Sequence, residues 1–215
     1  MTRVGVFRRI LQQQIQRCLR IPQTKGCHGH HGKIPSPEGS FIPAFPDRLQ
    51  RTAQTDTDKI GLMGHSLGGA SSVTLARQRT DIDAVVDLDG TMLGEIVAVE
   101  NGKNIYNEET YNIPVLEYMK EKDYTEREQY KKENGMPYVN EFVMAHAENG
   151  KTVVFQNAGH MDFTDLPLIS PTLASMLGHG EVDSKEFLTT MNKIILDWFD
   201  YTLKGEGTLD IQAKY

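Results

Sequence analysis

Lys59-Ile-Gly-Leu-Met-Gly-His-Ser-Leu-Gly-Gly-Ala70 decides how this chain is read. A short apolar strand runs into Gly64-His-Ser-Leu-Gly68, and the small residues that follow open a helix over Leu67–Gln78. A serine with glycine two residues away on each side, between strand and helix, has the sequence form of a nucleophile elbow. Such a bend leaves no room for flanking side chains. Gly64 and Gly68 are therefore expected to supply hydrogen in place of Cβ while Ser66 takes a strained backbone conformation. The Ser66 hydroxyl would stand off the end of a sheet, with the Leu67 N–H beside it as an oxyanion donor.

Working outward, further strands are predicted at Ala84–Leu88, Ile113–Tyr118 and Thr152–Gln156, after a first at Lys59–Met63. Helical stretches fall between them, in parts of Glu121–Lys132 and in Tyr138–Glu148. A last helix, Lys185–Leu203, carries Phe187, Met191, Ile194, Ile195, Trp198 and Tyr201 on one face, with Gly205 as its stop. Alternation of strand and helix predicts an α/β fold with a mostly parallel sheet flanked by helices. In such sheets function gathers at the carboxyl ends of the strands.

Residues able to do acid–base work follow those strand ends. Asp89 comes after the second strand and Asp123 after the third. His160 follows the fourth, behind Gly159. A serine hydroxyl becomes a good nucleophile when an imidazole takes its proton, and the imidazole needs a carboxylate to fix its tautomer. Ser66, His160 and Asp89 are the candidate set. Asp89 is preferred to Asp123 because it lies tight against a strand end, whereas Asp123 belongs to a solvated charge run, Lys120-Glu-Lys-Asp123. Asp87 is expected to be satisfied by loop amides. His65 is expected to be turned away from the nucleophile by the elbow, His146 falls in a helix, and His179 lies between glycines beyond the last strand. His65, Met161 and Phe163 are candidates for the substrate side of the cleft, the last two in a half-apolar loop, Met161–Ile169.

Composition narrows the alternatives. The chain has 215 residues, 39% hydrophobic and 24% charged, with a formal net charge of −6. That fits a soluble globular protein, disfavours a nucleic-acid surface on the folded body, and offers no apolar run of transmembrane length. The charge is unevenly spread. Seven basic and no acidic residues occupy positions 1–37, leaving 16 basic against 29 acidic residues in the rest. Residues 1–50 read as a basic segment and linker, and 51–215 as the catalytic domain. Phe7, Leu11, Ile15 and Leu19 permit a basic amphipathic helix over residues 6–20. Cys27-His-Gly-His-His31 lacks a spaced second ligand pair, so no metal is expected there. Without a continuous apolar core at the start, a secretory signal is not expected, and a cytoplasmic location is favoured.

Asp58–Ser72, Asp87–Gly94 and Gly159–Pro167 together resemble the α/β-hydrolase branch of platelet-activating-factor acetylhydrolases and their bacterial relatives. The resemblance implies Ser66, Asp89 and His160 as the triad, an acyl-enzyme on the serine, and no metal or cofactor. It also implies an acetyl or short-chain ester, including a lipid ester, as substrate. Only 58 residues precede the elbow strand and they hold little strand pattern, so the sheet is expected to be incomplete and the second oxyanion amide has no assigned source. A remnant that binds a ligand or partner without turnover, and a related acyltransferase, lactonase or peptidase, are the alternative readings. Oligomeric state is open.

Overall fold

A computed structural model describes residues 58–215. The amphipathic pattern over residues 6–20, the Cys27–His31 cluster and the proline-rich linker lie outside the described residues.

Four parallel strands form the sheet: β1 (Gly61–His65), β2 (Ala84–Leu88), β5 (Val115–Lys120) and β6 (Gly150–Phe155), in the spatial order β1-β2-β5-β6. β2 and β5 lie at its centre, and all five β2 residues are buried. Their near-continuous apolar character follows, because a central parallel strand is covered on both faces. Alternate residues serve opposite layers. Val85 and Val115 join Val73 and Ala76 of α1 (Leu67–Gln78) on one face. Val86 and Leu116 join Phe187, Met191, Ile194 and Trp198 of α6 (Ser184–Phe199) on the other.

The helices start and stop for local reasons. α6 begins where the Asp183 carboxylate accepts from the N–H groups of Lys185 and Glu186 at 3.0 and 2.8 Å. It passes into a π-turn at Asp200–Lys204 and ends at Gly205, whose φ of 70° is left-handed. α2 (Glu121–Asn134) ends at Gly135, also left-handed. α3 (Val139–Ala145) buries Val139 and Val143, while α4 (Leu166–Ile169) and α5 (Pro171–Leu177) are short and follow the His160 turn.

The expected strands and long helices are present, with bounds moved by a few residues. The sequence reading passes over the short helices α4 and α5 and the antiparallel hairpin β3 (Ile96–Glu100) and β4 (Lys103–Tyr106). The hairpin's signal was Asn101-Gly102, whose φ values of 50° and 80° suit a two-residue primed turn.

The two edges of the sheet differ. Along β6, Val154 N–H donates to Ala213 O and Gln156 N–H to Tyr215 O, both at 2.9 Å, and the Tyr215 ring stacks on Phe155. β1 pairs only with β2 among the described residues, and Met63 is 53% exposed. Among the described residues, the sheet thus has one edge covered by the C-terminal residues and β1 as its other outer strand.

Candidate active site

Ser66 sits at the junction of β1 and α1 with φ 56° and ψ −121°, a left-handed conformation for a residue with a Cβ. Its N–H donates to Leu88 O at 2.8 Å, which fixes the bend against the end of β2. The glycine requirement is distributed differently from the expectation. A Cβ on Gly64 would fall on the Gly68 backbone, and one on Gly69 on the Asp87 carboxylate, whereas a Cβ on Gly68 would meet nothing within 4 Å. The close approach of strand and helix is thus made at Gly64 and Gly69. The first N–H groups of α1, Leu67 included, have no acceptor within the helix and point out from its start.

Asp89 follows β2 and is also left-handed, with φ 55°. Its N–H donates to Tyr118 O at 2.9 Å. The loop beyond it is held by buried Asn140, which donates to Gly90 O at 2.9 Å and Glu117 Oε1 at 2.7 Å and accepts from Met92 N–H at 3.0 Å. The Asp89 side chain is fully buried and meets two partners at one oxygen. His160 Nδ1 lies 2.6 Å and Lys120 Nζ 2.7 Å from Oδ2, while Lys120 N–H donates to Oδ1 at 3.3 Å. Burial alone would raise this carboxyl, but the hydrogen bonds from His160 and Lys120 and the lysine charge outweigh it and hold it below its ordinary value. Asp89 is therefore an ionised acceptor. Nδ1 of His160 must carry the proton, which leaves Nε2 as the basic nitrogen.

His160 lies on the turn after β6, with its side chain 32% exposed. His65 was expected to point away from the site; its ring centroid lies 4.4 Å from that of His160. Because a carbonyl only accepts, His65 Nε2–H donates to His160 O at 2.9 Å. Burial and the neighbouring imidazole push His65 below its ordinary pKa. The elbow and the His160 turn are thus tied through the residue next to Ser66.

The other candidates are placed as follows. Asp123 pairs with Lys120 Nζ at 2.6 Å and not with His160. Met161 is half-buried, with its N–H donating to Gly178 O. Phe163 is 2% exposed and packs in the core against Phe155, Phe187 and Tyr118 rather than facing a cleft. Asp87 is fully buried; its Oδ1 accepts from Gly90 N–H at 3.1 Å, while Oδ2 has no partner among the described residues. Burial first, and then the nearby Glu117 carboxylate, push Asp87 well above the usual carboxylate range.

Sequence reasoning missed two groups. Lys120 is the last residue of β5, a strand-end position of the same kind that singled out Asp89, yet it was read only as part of a charge run. Asp162 and His179 form a second pair: the buried Asp162 carboxylate takes His179 Nδ1 and the N–H groups of Gly159 and Gly180, at 2.7 and 2.8 Å. No group of three or more potential metal ligands occurs among the described residues, and none of their helices is long and apolar enough to cross a membrane.

Comparison with known proteins gives two findings. The family model described as platelet-activating factor acetylhydrolase, isoform II, matches residues 46–209. Among solved structures, the chain is similar to a ferulic acid esterase from Streptomyces cinnamoneus, with a TM-score of 0.54 and 24% sequence identity. That match covers 73% of this chain and 44% of the esterase, so the chain spans less than half the length of the relative. No curated protein matches.

Proposed function

Because the chain belongs to the platelet-activating factor acetylhydrolase, isoform II, family, we propose that it is a serine carboxyl-ester hydrolase acting on acetyl or short-chain esters, including those of lipids. One observation carries the reading. An ionised, fully buried Asp89 orients His160 through Nδ1, directly beside an elbow whose serine has the strained backbone that such chemistry uses.

In this reading Ser66 Oγ attacks the acyl carbon while its proton passes to His160 Nε2. Asp89 stabilises the imidazolium, and the Leu67 N–H receives the oxyanion. Collapse expels the alcohol, protonated by His160, and leaves an acyl-serine. Water, activated by the same imidazole, then releases the acid. Ser66 Oγ and His160 Nε2 make no hydrogen bond among the described residues, and the reading requires them to close up around substrate, as such pairs do. Leu168, Ile169, Leu173, Met176 and Leu177, all exposed on α4 and α5 just after His160, supply an apolar surface for an acyl chain or lipid.

The test compares hydrolysis of acetate and butyrate esters by the wild type and Ser66→Ala. Turnover abolished by the substitution supports the reading. A folded wild type that hydrolyses neither ester overturns it. The unassigned second oxyanion donor makes a non-catalytic binding role the rival. Ester binding without turnover would establish that rival.

A further inference from the structure

Lys120 has no place in the chemistry just described, yet it makes the most concentrated set of contacts near it. Its side chain is only 16% exposed, and its ammonium touches two carboxylates, Asp89 Oδ2 at 2.7 Å and Asp123 Oδ2 at 2.6 Å. Its backbone N–H reaches the other oxygen of Asp89. A lysine at a strand end ordinarily extends into water. This one spends its charge on a carboxylate with no solvent contact, at the same oxygen that His160 Nδ1 uses.

We propose that Lys120 is a positioning residue of the Asp89–His160 pair: it pins the carboxylate at the oxygen the imidazole also uses and sets the net charge against which His160 takes up a proton. The inference rests on the hydrolase reading only for its consequence in catalysis; the charge coupling itself needs no turnover. Two effects follow from the geometry. With backbone and ammonium both holding Asp89, its carboxylate cannot rotate away when the imidazole moves. The ammonium also repels an imidazolium, so it opposes protonation of His160, while Asp123 reduces that repulsion by pairing with the same nitrogen.

His65 packs on the His160 ring, Asp89 and Asp123 flank Lys120, and Asp87 lies two residues below Asp89 in β2. The Asp162–His179 pair sits on the His160 turn itself. Among the described residues, Lys120 is the one lysine or arginine bonded to the Asp89 carboxylate.

The experiment follows the imidazole resonances of His160 against pH by NMR, assigned with His160→Gln, in wild type, Lys120→Met, Lys120→Arg and Asp123→Asn, alongside the pH dependence of ester kcat/KM. Lys120→Met should move the His160 titration midpoint upward by about one pH unit. The acid limb of kcat/KM should move with it. Asp123→Asn should move both the other way by a smaller amount, and Lys120→Arg should restore wild-type behaviour. A midpoint within about 0.2 pH units of wild type in both Lys120→Met and Asp123→Asn overturns the proposal. If Lys120→Met fails to fold, Asp123→Asn still decides, because a rise or no movement there contradicts the charge coupling. Midpoint shifts without hydrolysis in any variant would uphold the role of Lys120 and defeat the hydrolase reading instead.

Discussion

Asp89 and Asp162 lie at the same end of the sheet, both almost out of reach of solvent, and each faces a histidine Nδ1. Their other partners differ. Asp89 receives a lysine ammonium and a single backbone N–H, and its histidine keeps a partly exposed ring beside the elbow. Asp162 spends its remaining capacity on the N–H groups of Gly159 and Gly180, so it clamps the His160 turn to the 178–180 segment. A histidine–aspartate pair is thus not in itself a sign of catalysis. In the proposed reading the first pair serves Ser66, at the elbow that His65 ties to the His160 turn, whereas the second closes the loop that carries His160.

That difference should appear most strongly in kinetics. Asp89→Asn keeps the size of the side chain but removes the charge that stabilises an imidazolium, and should lower kcat by about ten-thousand-fold. A loss of less than about tenfold would make the two pairs equivalent.

The second pair should answer chiefly in stability. Asp162→Ala leaves the Gly159 and Gly180 N–H groups without their acceptor, at a cost of about 2–3 kcal/mol. The midpoint of thermal unfolding should fall by roughly 4–12 °C, while kcat stays within about tenfold of wild type because Asp89 and Lys120 still hold His160. A larger kinetic loss than thermal loss would place Asp162 in the chemistry.

The smallest effect concerns a third carboxylate. Asp87, inside β2 two residues before Asp89, has no cation bonded to it among the described residues, and burial together with Glu117 raises it where Asp89 is lowered. The sign follows by linkage. A carboxyl raised on folding contributes stability that is fully present below its unfolded value and is lost as pH rises through the folded one. Asp89, being lowered, contributes in the opposite sense, with stability lost as pH falls. Asp87→Asn, a neutral isostere of the protonated acid, should therefore be more stable relative to wild type at pH 8 than at pH 4. Denaturant unfolding at the two pH values checks this, and a pH-independent difference would mean that Asp87 is ionised in the fold.

The sequence made the frame of this site legible because its signals are local. Gly64-His-Ser-Leu-Gly68 has one compact solution, and the apolar runs at Ala84–Leu88 and Val115–Met119 mark strands covered on both faces. Asp89 and His160 could be placed at strand ends by spacing alone. Contacts across long separations could not. Lys120 meets Asp89 over 31 residues, and Asn140 reaches Gly90 over 50. Nothing near either residue in the chain announces its partner. Phe163 misled for a related reason, since an aromatic next to a catalytic candidate reads the same whether it lines a cleft or fills the core, and here it fills the core. The hairpin was a different failure, because Asn101-Gly102 carried its own signal in a stretch to which the sequence reading assigned no element.

The account depends on Ser66 being the group that His160 activates. Reaction of the folded chain with a fluorophosphonate, followed by intact mass and peptide mapping, tests this directly. One adduct on Ser66, formed far more slowly in His160→Ala, is the predicted result; a folded protein that stays unlabelled, or that carries its adduct on another residue, would contradict it.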